Sequence, residues 1–134
     1  MACAHDITDL ATVTIRPWHR ADITLVPLAS SCARAAWLPA IGPSSWLLWH
    51  TFAAAIANAD TATWATTEFA RAHGIGVPVL DATLRRLTQF QLITPGYDDF
   101  WLVTPGAPPL WPSRLRRAPS QVKALHARTF PHHA

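Results

Sequence analysis

The sequence predicts an α+β fold, mainly α, in which a three-helix core is followed by a β-hairpin and flanked by an N-terminal extended segment and a C-terminal helix. Three observations carry this reading. Trp46, Leu47, Trp49, Phe52, Ala53, Ile56 and Ala57 lay a wide apolar face at helical spacing. Phe69 to Leu87 reads as two short helices joined by a glycine turn. Leu92-Ile93-Thr94 and Phe100-Trp101-Leu102-Val103 flank the turn residues Pro95-Gly96-Tyr97-Asp98-Asp99, a hairpin signature.

Taken in order, residues 1 to 11 carry no strong period. Thr12 to Ile15 and Ile23 to Leu28 favour extended structure through their β-branched and apolar residues, so two short strands or an extended arm are both open. Ser30-Ser31 is expected to cap a short helix to about Leu38, which Pro39 and Gly42-Pro43 would end. Pro43-Ser44-Ser45 starts the next helix, which runs to about Ala59.

Asn58-Ala59-Asp60-Thr61 reads as a turn, because such side chains bond their own backbone. Trp64-Ala65 is expected to be a short extended segment, with Thr66 or Thr67 as the N-cap of a helix to about Ala72. Gly74 and Gly76 make the turn, and Ile75 plugs its corner. Pro78 sits in the first turn of the third core helix, where Leu80, Leu84 and Leu87 form an inward stripe as far as about Phe90. After Val103, Thr104 to Pro112 is punctuated too often by proline for regular structure, and Ser120 is expected to cap a last helix to about Thr129 with Val122, Leu125 and His126 on one side.

A chain of 134 residues suits one domain with tails, and no apolar run reaches the roughly 18–20 residues of a membrane span. The start lacks the basic and apolar regions of a secretory signal, so a cytoplasmic location is expected, with no membrane partner. Cys3 and Cys32 do not define a disulfide framework. Residues 1 to 70 hold three arginines against five acidic residues, a balance of −2. Residues 71 to 134 hold seven arginines and Lys123 against three aspartates, a balance of +5. The basic half therefore contains most of the glycine-turned helix pair, and a positive surface suits a phosphate backbone or an acidic partner. Ten arginines to one lysine point to a GC-rich bacterial or phage source.

The placement of Ala70, Gly74, Ile75, Leu80, Leu84 and Leu87 resembles the helix-turn-helix of the winged-helix superfamily, in particular small bacterial, actinobacterial or phage DNA-binding regulators. The resemblance covers about residues 44 to 104. It divides the chain into an arm at 1–43, a winged-helix domain at 44–104, and a Pro/Arg-rich connector with a C-terminal helix at 105–134. His73 stands where the pattern has leucine, which predicts a partly buried imidazole. The resemblance implies a regulator or architectural protein that binds double-stranded DNA, expected to be a homodimer. Its third helix would enter the major groove, with Thr83, Arg85, Arg86 and Gln89 near DNA. Arg71 and the tail residues Arg114, Arg116 and Arg117 would hold phosphates.

The outward face of that helix here is Gly76, Val77, Pro78, Asp81 and Ala82, which is poor in base-reading donors, and the hairpin tip carries Asp98-Asp99. The alternative is a protein-interaction module, an adaptor or inhibitor such as a phage-encoded host-binding protein, docking through Val77, Pro78, Val79 and Ala82. Of seven tryptophans, Trp46, Trp49 and Trp64 fit a core, whereas Trp18, Trp37, Trp101 and Trp111 lie in irregular or edge segments that suit an interface. Cys3-Ala4-His5 and His132-His133 lack structural-zinc spacing, and Glu68 is the only glutamate. No catalytic constellation can be assembled, so neither enzyme activity nor a metal or other cofactor is expected.

Overall fold

The computed structural model describes residues 10–97 and 99–131 and is α+β: six helices and one four-stranded mixed sheet. Cys3, His5, Asp98, His132 and His133 lie outside the described residues. The order is β1 (Thr12–Pro17), α1 (Ser31–Ile41), α2 (Pro43–Ala57), β2 (Ala62–Ala65), α3 (Thr66–Ala72), α4 (Val77–Gln89), β3 (Ile93–Pro95), β4 (Phe100–Val103), α5 (Pro112–Arg117) and α6 (Ser120–Thr129). No helix of the described residues is long and apolar enough to cross a membrane.

The strand order is β2-β1-β4-β3. β3 and β4 form the expected antiparallel hairpin, with Ile93 opposite Val103. The N-terminal strand β1 pairs in parallel with β4 and antiparallel with β2, so the hairpin continues into the sheet through a strand from the far end of the chain. Alternation sets its faces: Val13 and Ile15 are buried, while Thr12, Thr14 and Arg16 point away from the core. The expected second strand at Ile23 to Leu28 reduces to one bridge, in which the Val26 and Ala107 amides and carbonyls exchange hydrogen bonds of 2.9 and 2.7 Å. Gly106 is required beside it, because a Cβ there would lie 2.7 Å from the Val26 carbonyl oxygen.

Ser30 caps α1 by accepting the Ala33 amide at 3.2 Å, but the helix runs through Pro39 to Ile41 rather than ending near Leu38. Burial of Trp37, Ala40 and Ile41 holds the last turn, and the exposed Pro39 forfeits one backbone bond only. On α2 the sequence mistakes two positions of the apolar face: Leu47 and Ala57 are exposed, and Leu48 is buried instead. The N-cap of α3 is Ala65, not a threonine. Thr66 starts the helix, its amide donates to the Ala11 carbonyl, and its buried hydroxyl takes no partner among the described residues. The short α5 is absent from the sequence reading, since proline precedes it and its arginines show no apolar period.

One buried cluster draws on every region of the described chain. Trp37 lies edge-on to Trp49 at 5.9 Å and to Phe90 at 6.2 Å, and Trp46 lies edge-on to Trp49 at 5.9 Å. The Trp37 and Trp49 indoles donate to the carbonyls of Pro108 and Thr104, so aromatic bulk is buried with its polar atom satisfied. Trp37 and Trp101, expected at an interface, are each 2% exposed and belong to this core. Only Trp111 of that group is classed as exposed, and it stacks on Phe90 at 5.7 Å. The proline-rich connector is held because it supplies the acceptors these indoles need.

Candidate functional site

The turn between α3 and α4 follows from one backbone angle. Gly74 has φ +72°, and the Ile75 amide reaches back to the Ala70 carbonyl at 3.1 Å. Ile75 packs against the core from the corner, and His73 bridges the Phe69 carbonyl at 2.9 Å and the Thr51 hydroxyl at 3.0 Å, half-buried as expected. Leu80, Leu84 and Leu87 of α4 are buried, each contributing about 1.5–3 kcal/mol by transfer from water. That burial fixes which residues α4 turns outward.

The outward face is Pro78, Val79, Ala82, Arg85, Arg86 and Gln89, which lines one side of an open groove of about 630 Å³. The other side is the junction of α1 and α2, Ile41 to Ser45. The groove is apolar along Pro78, Val79 and Ala82 and cationic along Arg85 and Arg86. Val77 is excluded from it, being half-buried against the core. Thr83 borders the groove but is 5% exposed, and its hydroxyl donates to the Val79 carbonyl at 2.8 Å, so it is spent within the helix rather than offered to a base.

The arginines divide by role. Arg85 donates from Nε to Asp81 Oδ2 at 2.8 Å, one turn back along α4, which neutralises the aspartate that would otherwise repel an anion. Arg86 reaches across to α1, its Nε donating to the Ile41 carbonyl at 2.8 Å and its Nη2 to the Ala40 carbonyl at 3.2 Å. The Phe90 ring meets two arginines: the Arg86 guanidinium is 5.6 Å and the Arg114 guanidinium 5.0 Å from its centroid. A tail arginine and a third-helix arginine are thereby brought to one end of α4.

Arg114 and Arg117 also border a smaller hollow of about 140 Å³ between α1, α5 and α6. Arg71, in the last turn of α3, and Arg116 and Arg117 on α5 are exposed. At the hairpin tip Tyr97 is 86% exposed and Asp99 has φ +61°. Among the described residues no three His, Cys, Asp or Glu side chains converge as a metal site.

Sequence reasoning missed the far wall of the groove. Ser44 and Ser45 read only as a helix start, yet the fold sets them opposite Arg85 and Arg86. The available signal was Gly42-Pro43-Ser44-Ser45 with no acidic residue in the first turn, which leaves a helix N-terminus uncompensated. Comparison with known protein families, with curated proteins and with solved structures gave no match.

Proposed function

We propose that the chain is a DNA-binding transcriptional regulator or architectural protein of winged-helix type, acting as a homodimer in the cytoplasm. The order α2-β2-α3-α4-β3-β4 supports the winged-helix reading, with β1 as an added strand. The observation that carries the DNA reading is that Arg86 and Arg114 lie against the same ring, Phe90, at the C-terminal end of α4, with Arg85 on the same helix paired to Asp81. Exposed Arg71, Arg116 and Arg117 add phosphate-directed charge. Backbone contacts dominate affinity in this reading, because α4 keeps only Gln89 and Arg85 as side chains to present to base edges. Direct titration of the folded protein with duplex DNA tests it: binding at low salt that weakens steeply with added salt supports it, and no binding at low salt overturns it.

A second reading rests on the apolar half of the same face. Pro78, Val79 and Ala82 line the groove, and Val79 is 48% exposed, a surface that suits an adaptor or inhibitor docking on a protein. A stoichiometric protein partner recovered from the host and lost in Val79→Asp favours this reading. Recovery abolished by nuclease favours DNA.

A further inference from the structure

We propose that the hollow between α1, α5 and α6 binds a small monocarboxylic acid, one ring-sized apolar group bearing one carboxylate. It shares no lining residue with the α4 groove, and the site stands whether or not the chain binds DNA.

The lining is apolar. Ala35, Ala36 and Ala40 come from α1, Leu110 from the connector, and Ala118 and Val122 from the approach to α6 and its first turn. Short side chains on these elements leave the space unfilled, although Ala36, Ala40 and Leu110 are themselves buried. Apart from Arg114 and Arg117, no lining side chain carries a polar atom. The backbone adds little: the Leu110 amide donates to His126 Nε2 at 3.0 Å, the Ala118 amide to the Leu115 carbonyl at 3.1 Å, and the Val122 amide to the Pro119 carbonyl at 3.0 Å. Water there finds few partners, so an apolar group gains by displacing it. The volume, about 140 Å³, is close to the roughly 150 Å³ of a cavity that takes one benzene, which sets the size of that group.

Arg117 supplies the charge. It borders the hollow, is exposed, and its guanidinium has no hydrogen bond, ion pair or ring contact among the described residues. Arg114 also borders the hollow, but its cation lies over the Phe90 ring at 5.0 Å. No Asp or Glu occurs in α1 or after Asp99, so the walls bring no acid to either arginine. One uncommitted guanidinium balances one negative charge, and its planar fork matches a carboxylate with two bonds. A phosphate monoester, at about −1.5 to −2 charges near neutral pH, exceeds that balance.

The test is a titration of the full chain with benzoate at neutral pH and constant ionic strength, read by amide and methyl NMR. Resonances of Ala36, Ala118 and Val122 should shift saturably. Benzamide, similar in shape but uncharged, should bind about tenfold more weakly, the low end for a hydrogen bond to a charged group, and acetate, which lacks the ring, should not saturate. Arg117→Gln should weaken benzoate by the same factor while leaving benzamide and Tm unchanged. Val122→Phe should abolish binding of both by filling the hollow. Arg128→Gln, which removes an equal charge outside the lining, should titrate like the parent.

Lining resonances that do not move, or benzoate and benzamide that bind alike, overturn the site. So does an Arg128→Gln protein that loses as much benzoate affinity as Arg117→Gln. If Val122→Phe does not fold, the pair of ligands and the two arginine variants decide it.

Discussion

Arg86 Nε donates to the Ile41 carbonyl at 2.8 Å, joining α4 to the last turn of α1. The acceptor is one of the carbonyls that a helix C-terminus leaves without an internal partner, and the guanidinium charge suits the negative end of that helix. A residue expected to hold DNA thus bridges α4 and α1.

Arg86→Ala should lower stability by about 1.5 kcal/mol, the low end for a hydrogen bond to a charged group, because solvent shares the guanidinium. Arg86→Lys should recover little of the loss, since a single ammonium cannot reproduce two bonds from a planar fork. Chemical denaturation of the three proteins checks this. Equal midpoints for Arg86→Ala and the parent would show the bridge to be energetically idle.

Thr83→Val should leave duplex affinity and base preference unchanged and cost less than about 1 kcal/mol in stability, because the hydroxyl already serves the Val79 carbonyl. Arg71→Ala, Arg116→Ala and Arg117→Ala should each weaken duplex binding uniformly across sequences, with the salt slope falling by about 0.9 for each phosphate contact removed. Binding isotherms over a salt series read both effects. A base preference altered by Thr83→Val would show that α4 presents a different face from the one described.

Two left-handed residues bracket α4 and predict changes of opposite sign. Gly74 has φ +72° with open space around it, so Gly74→Ala meets no clash and costs only the backbone term, about 1–2 kcal/mol. Gln91 has φ +60° just beyond the helix, where the Leu92 amide returns to the Leu87 carbonyl at 3.0 Å. Gln91→Gly should therefore stabilise by up to about 1 kcal/mol. Thermal unfolding of the two variants should move Tm in opposite directions.

His50 carries a pH dependence. Its ring lies against Trp46 at 4.5 Å, its Nε2 is buried without a partner among the described residues, and burial lowers its pKa from the ordinary 6.5. The unfolded chain then binds the proton more readily than the folded one. The stability associated with neutral His50 is fully present above pH 6.5 and is lost as pH falls through 6.5 toward the lower folded-state value. His50→Gln should flatten the fall in Tm between neutral and mildly acid pH. An unchanged slope would place the effect on another histidine.

Much of the fold was legible because local chemistry and tertiary demand agree. Leu80, Leu84 and Leu87 repeat at helical spacing and are buried, Gly74 is left-handed, and the run from Leu92 to Val103 folds back as a hairpin. Where they disagree, the sequence misled. Pro39 sits inside α1 because the buried residues around it outweigh one lost hydrogen bond, and Leu47 faces solvent where its neighbour Leu48 is buried. The site was legible as a set of residues and not as an arrangement: Arg85 and Arg86 are adjacent in the chain, yet one binds its own helix and the other reaches α1.

The sequence by itself determined the core helices α2, α3 and α4, the last helix, the β3–β4 hairpin, the glycine turn and the basic charge of the second half, because each depends on spacing or on one residue's own conformational range. Only the tertiary structure decided that β1 joins β4 in parallel, that Trp37 and Trp101 are core, that Arg86 and Arg114 both lie against Phe90, and that Ser44 and Ser45 line one groove with α4. Each of these brings together residues far apart in the chain. Their partners are set by where buried surfaces pack, which no local pattern encodes.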